Sequence, residues 1–169
     1  MDERVDIVDE QGSVLYQTTK GEAHEKGLLH MCVVSEVINS EGKWVLVKQA
    51  SDRQDAGQYV SPIGGHVQAG ESLEDALRRE AMEEMGLSDI SFEKVGQAIF
   101  DRTTRGKREN HYFMMYKIKS DATPSLNHES VGYEYFTPDE LKKQLTENPS
   151  KFGDAFRFVV DHFFPELKP

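Results

Sequence analysis

Residues 65–87 carry a glycine-rich loop that runs into a helix-forming stretch whose core-facing stripe turns acidic. Ser72 is a helix N-cap, Asp75 is its capping-box partner and Gly86 is a stop, so a helix is expected over 73–85. Leu73, Ala76 and Leu77 mark the apolar arc. One turn later Glu80, Glu83 and Glu84 fall on that same arc of about 100°. Crowded carboxylates repel one another and desolvate badly on a buried face. A hard divalent cation with oxygen ligands, Mg²⁺ or Mn²⁺, relieves both costs. The feature therefore points to metal-assisted phosphate chemistry.

The rest of the chain must form a core around this helix. At 169 residues it is long enough for one domain. No apolar run approaches the roughly 20 residues of a membrane span. The opening Met1-Asp2-Glu3 is acidic, unlike a secretory signal. Cys32, the sole cysteine, excludes an internal disulfide and is expected as a buried thiol in a reducing cytoplasm. A net charge of −10 disfavours nucleic-acid polymers and anionic membranes. It does not oppose a small anionic substrate once divalent metal is bound.

Short strands are expected at 5–8 and 13–18, a long one at 28–38, its hairpin partner at 44–48, and mostly loop over 49–71. Strand-like runs follow at 92–100, 111–119 and 131–136. Thr137-Pro138 opens a helix to about Leu145, and a last amphipathic helix is expected over 151–163. Strands and helices mix without strict alternation, which implies a mixed sheet between helices.

Gly65, Glu71 and the run Arg79-Glu80-Ala81-x-Glu83-Glu84-x-Gly86-Leu87 together resemble the signature of the Nudix hydrolases. Ala81 stands where that family usually has a larger aliphatic residue, a packing variation on a buried face. The resemblance implies an α+β fold of the α/β/α sandwich type over 1–169. Within it are an N-terminal hairpin extension (1–25), the motif (65–87) and C-terminal helices (137–164). It also implies hydrolysis of a nucleoside diphosphate linked to another group, and it leaves a homodimer open.

The opening hairpin, His24, His30 and Ser61-Pro62-Ile63-Gly64-Gly65-His66 are similar to the Nudix branch that contains isopentenyl-diphosphate isomerase. The departures separate the chain from isomerases. Their proton-transferring cysteine corresponds to Gly64, which has no side chain to do that work. Their degraded acidic box is intact here. Their metal-binding Glu-x-Glu is matched at best by Glu109-Asn110-His111, with a histidine in place of the second acid. The expectation is an isomerase-branch hydrolase. The rivals are a metal-nucleotide binding module without useful turnover and the isomerase itself.

Glu80, Glu83 and Glu84 are the expected metal ligands, with the Gly64 carbonyl as an added donor. Arg79 can pair with Glu83, or fix Glu80 or Glu71. Glu83, Glu84 and Arg79 are the catalytic set, completed by a general base for which Glu129 is favoured over Glu109 and Glu71. His66 follows the paired glycines and is expected either as a metal ligand or as a contact to substrate phosphate. Arg102 and Arg105, in a basic loop, are expected to grip phosphate as well. His24 and His30 read as satisfied structural histidines. Tyr59, Phe100, Tyr112 and Tyr135 read as core rather than base-stacking residues.

Overall fold

Hydrophobic patterning resolves into one mixed sheet with helices on both faces, seen in a computed structural model that describes residues 2–169. Met1, part of the acidic start discussed above, lies outside the described residues. The strands are β1 (Arg4–Val8), β2 (Val14–Thr19), β3 (His30–Ile38), β4 (Trp44–Gln49), β5 (Tyr59–Val60), β6 (Ile63–His66), β7 (Ser91–Thr104), β8 (Lys107–Lys119) and β9 (Ser130–Phe136). The helices are α1 (Lys20–Lys26), α2 (Leu73–Met85), α3 (Pro138–Glu147) and α4 (Asp154–Phe163).

β3 organises the sheet. It runs parallel to β8 from His30 opposite His111 to Ile38 opposite Lys119. On its other side the first half pairs antiparallel with β6, and Val37 and Ile38 pair with β4. Period-2 alternation along β3 then serves two cores. Val33 and Val37 face Ala76, Leu77, Ala81 and Met85 of α2. Cys32 and Val34 face Leu141 and Leu145 of α3 and Phe156, Val159 and Val160 of α4. This is the expected sandwich, and Cys32 is a buried thiol within it.

α2 spans the expected residues, with Ser72 accepting from the Asp75 amide and Gly86 closing the end in the left-handed conformation. Three expectations need refinement. The 49–71 segment is mostly loop, as expected, but it also carries two short strands: β6 pairs with β3, and β5 pairs with β4. The final helix begins at Asp154, because Gly153 caps it and Pro149–Lys151 form a separate 3₁₀ turn. Between β2 and β3, α1 had no apolar stripe to announce it. Its signals are the Thr19 cap on the Glu22 amide and the left-handed Gly27.

Glu36 on β3 is fully buried, with one carboxyl oxygen accepting from Ser61 Oγ at 2.5 Å and the other without a hydrogen-bond partner among the described residues. Burial pushes its pKa up to about 8, against the opposing Ser61 hydrogen bond. Between the ordinary carboxyl value of 4.5 and about 8, the unfolded chain therefore releases a proton that the folded chain keeps. Folding stability linked to Glu36 is complete below that window and is lost as pH rises through it. Glu36→Gln is expected to flatten this loss, by on the order of a few kcal/mol between pH 5 and 8. Urea unfolding of both proteins at the two pH values measures it; an unchanged difference refutes the assignment.

Candidate active site

The carboxylates of α2 meet the sheet at β6, which pairs with β3. Gly64 donates its amide to Glu84 Oε2 at 2.8 Å. Gly65 has no side chain because the Glu80 carboxyl occupies that place: a Cβ there would lie 2.3 Å from Glu80 Cδ and Oε1. The two glycines thus let a helix carboxylate pair rest directly on strand backbone.

Arg79 fixes this arrangement. Its Nε and Nη2 donate to the two Glu71 oxygens at 2.9 and 2.8 Å, Nη1 to Glu80 at 2.7 Å, and Nη2 also to the His66 carbonyl at 3.0 Å. Glu83 lies farther off, 3.6 Å from Nη1, and is half exposed. Of the pairings open to Arg79 in the sequence, the bidentate grip on Glu71 and the bond to Glu80 are the close ones. The Arg79 hydrogen bonds hold Glu71 below the ordinary carboxyl range. Burial does the opposite to Glu80, raising it to about 7 despite Arg79. Glu84 is pushed well up by burial, then by Glu80 and Glu129. Arg79 alone therefore does not compensate the cluster, and the all-oxygen donor set fits a hard divalent cation.

Glu129 stands beside Glu84 in the same cleft, its carboxylate held by Arg53 at 2.6 Å. The cleft encloses about 520 Å³. It is lined by Glu80, Glu83, Glu84 and Gly64, and also by the apolar side chains of Phe113, Phe156 and Val159.

The basic loop is arranged differently from the expectation. Arg102 lines the cleft, but its guanidinium is committed to Asp55 at 3.0 Å and Glu109 at 2.9 Å. Arg105 is exposed at the β7–β8 turn with φ of 50° and does not line the cleft, so it is no longer a phosphate ligand. Tyr112 is buried and donates its hydroxyl to the Glu10 carbonyl at 2.7 Å. Tyr59 packs edge-on to Phe136, and Phe100 stacks on Phe113. Tyr135 is an exception to the core reading, being exposed on β9.

The histidines also require correction. His24 and His30 do not sit apart as satisfied structural residues; with His66 and His111 they form a cluster whose donor nitrogens all lie within 4.8 Å of one another. Strand register explains it. β6 and β8 flank β3 on either side, which sets His66 and His111 beside His30, and α1 lowers His24 over them. Burial depresses all four pKa values, that of His30 to about 4.

The NUDIX domain model matches residues 28–156. The chain is 33% identical to an uncharacterized Nudix hydrolase of Nostoc over 161 residues, covering 93% of this chain and 94% of that one. It is 27% identical to isopentenyl-diphosphate Delta-isomerase 2 of Photorhabdus laumondii, over 95% and 92% of the two chains. Among solved structures, a Deinococcus radiodurans protein superposes with a TM-score of 0.75 at 27% identity, over 96% of this chain and 99% of that one. Fold, acidic helix and glycine strand thus define a diphosphate-hydrolase class. The chain belongs to the Nudix family and is a pyrophosphohydrolase of it; the family generally uses divalent metal ions.

Proposed function

We propose that this pyrophosphohydrolase acts on the diphosphate linkage of a nucleoside diphosphate derivative or similar small molecule, with Mg²⁺ or Mn²⁺ held by Glu80, Glu83, Glu84 and the Gly64 carbonyl. The observation that carries the reading is the Glu80 carboxyl seated on Gly65 with Glu84 on the Gly64 amide. When bound, the metal supplies charge neutralisation at the diphosphate and a lowered pKa for coordinated water. Arg79 keeps Glu80 and Glu71 in register with the strand, acting through those carboxylates. Glu129 accepts the proton of the attacking water, and Arg53 orients it there. His66 borders the same cleft. The apolar side chains of Phe113, Phe156 and Val159 receive the uncharged part of the substrate.

Gly64 argues against isomerase turnover, because the proton-transfer position has no side chain. A nucleotide-derivative panel with either metal tests the proposal. Release of phosphate or nucleoside monophosphate is expected, and Glu129→Gln lowers kcat by roughly 10²–10⁴-fold while leaving the metal-activation midpoint in place. Ligand binding without hydrolysis across the panel supports the binding module instead. Interconversion of allylic diphosphates reinstates the isomerase.

A further inference from the structure

Glu36 is a buried acid that the hydrolytic scheme leaves idle, yet its hydrogen-bond partner opens onto the cleft. Side chains alternate along β3, so Glu36 shares the face of Cys32 and Val34, toward α3 and α4 and away from α2. Its Oε2 meets Ser61 Oγ at 2.5 Å, and Ser61 lines the cleft. Ser61 stands between β5 and β6, three residues before Gly64. The contact therefore joins a group sealed in the core to a hydroxyl at the cleft surface.

Nothing nearby keeps Glu36 ionised. Lys117, its register neighbour on β8, pairs with Glu93 at 3.1 Å. Arg157 of α4 pairs with Asp154, Tyr59 of β5 faces Glu134, and Lys48 of β4 is exposed. A fully buried carboxylate with one hydrogen bond and no counter-charge is costly, so the neutral acid is the resting form. That acid has one hydrogen and two places for it. On Oε1 it would be buried without an acceptor, since Oε1 has no partner among the described residues. On Oε2 it lies along the 2.5 Å contact, where Ser61 Oγ accepts it. The second placement wins, because an unmet donor is less tolerated than an under-satisfied carbonyl oxygen. Ser61 then keeps its own hydrogen free for the cleft. Ionising the acid reverses the contact: Ser61 donates to the carboxylate and shows the cleft only lone pairs.

Placement decides which part of a substrate that hydrogen meets. The metal-holding glutamates sit on α2, which packs on the opposite face of the sheet. The residues before Ser61 lead to α4 instead: the Gly153 amide, at its N-cap, donates to the Tyr59 carbonyl at 3.0 Å. Ala155, Phe156 and Val159 of α4 line the cleft with Ser61. Ser61 thus faces the organic moiety rather than the metal-bound diphosphate. Among apolar neighbours, a lone hydroxyl hydrogen selects an uncharged acceptor such as a carbonyl, ether or ring nitrogen.

We propose that Ser61 is a specificity residue of the cleft, donating a hydrogen bond to an uncharged oxygen or nitrogen acceptor in the organic moiety of the diphosphate substrate, and that Glu36 is the positioning residue that fixes the direction of its O–H from the core. This role rests on the hydrolase reading for its ligand; the direction of the hydrogen bond rests on the burial and partners of Glu36. Burial, opposed by the Ser61 hydrogen bond and by no neighbouring charge, pushes the Glu36 pKa up to about 8. Below that value Ser61 is a donor to substrate. Above it the hydroxyl turns to the carboxylate and the contact with substrate is lost.

The test uses the full chain and two readouts. Infrared difference spectra of wild type against Glu36→Gln, at about pH 6, are expected to show the C=O band of a neutral carboxyl, and Ser61→Ala moves that band. Kinetics use the member of the nucleotide-derivative panel that wild type hydrolyses fastest with Mg²⁺. Ser61→Ala raises KM about three- to tenfold, the loss of one hydrogen bond, and leaves kcat within about twofold. Wild type shows the same rise in KM between about pH 7 and 9.5, as Glu36 ionises. Glu36→Gln keeps a low and flat KM over that range, because its amide N–H continues to donate to Ser61. A Glu36 that only fills space gives wild type and Glu36→Gln the same pH course and overturns the proposal. So does an absent neutral-acid band, or a KM that Ser61→Ala leaves in place. Wild type without turnover on the whole panel fails the hydrolase reading and, with it, the ligand assigned to Ser61. The infrared arm reports on Glu36 and Ser61 with no substrate present, so the two failures are told apart.

Discussion

Glu84→Gln is expected to fold normally and to lose nearly all hydrolysis, with kcat down on the order of 10³-fold. The substitution keeps shape and keeps an oxygen for the Gly64 amide, which now donates to Glu84 Oε2 at 2.8 Å. What it removes is charge. In the metal-free protein that charge is a liability, since burial and the neighbouring Glu80 and Glu129 already push the Glu84 carboxyl well up. The neutral amide relieves that crowding, so the metal-free Tm should hold or rise while turnover collapses. Stability and activity moving in opposite directions separates a catalytic carboxylate from a structural one. The measurements are kcat over a Mg²⁺ titration and Tm with and without metal. A variant within a few-fold of wild-type turnover would falsify the role given to the α2 glutamates.

The part of this site that was legible in sequence is the part built from neighbours in sequence. α2 could be read to its end residues because cap, stripe and stop all lie within fifteen positions. Glu80 and Glu84 needed only helical spacing to be placed together. The imidazole cluster needed strand register, which pattern alone does not supply. His30, His66 and His111 meet because β3 lies between β6 and β8, and His24 joins through a seven-residue helix with no apolar stripe. A usable signal existed for three of the four: His30 and His111 stand near the starts of strand-like runs and His66 follows Gly65, whereas His24 has no such mark. Arg102 shows the converse failure. A basic residue in an acidic chain looked free for phosphate, yet Asp55, 47 positions away, and Glu109 had claimed it. Long-range ion pairs leave no local trace.

Gly65→Ala is the second large effect expected, and it acts through shape rather than charge. The added methyl would sit 2.3 Å from both Cδ and Oε1 of Glu80, well inside contact distance. Something must move. β6 is held by its ladder to β3, where Gly65 opposes Val33. The carboxyl is the softer element, but it is nearly buried and tied to Arg79 Nη1 at 2.7 Å, and Arg79 is tied in turn to Glu71 and the His66 carbonyl. The displacement therefore travels to the metal-holding face as a shift of about 1 Å, a misplacement worth roughly 10²-fold in rate. Because the backbone at Gly65 is extended and needs no positive φ, the fold survives the change. Circular dichroism should match wild type, kcat should fall by about that factor, and the Mg²⁺ activation midpoint should rise. Gly64→Ala, whose added carbon meets nothing nearer than the Val33 carbonyl at 3.9 Å, is the control that should cost far less. Equal losses at the two glycines would show that loop flexibility, not the seat of Glu80, governs turnover.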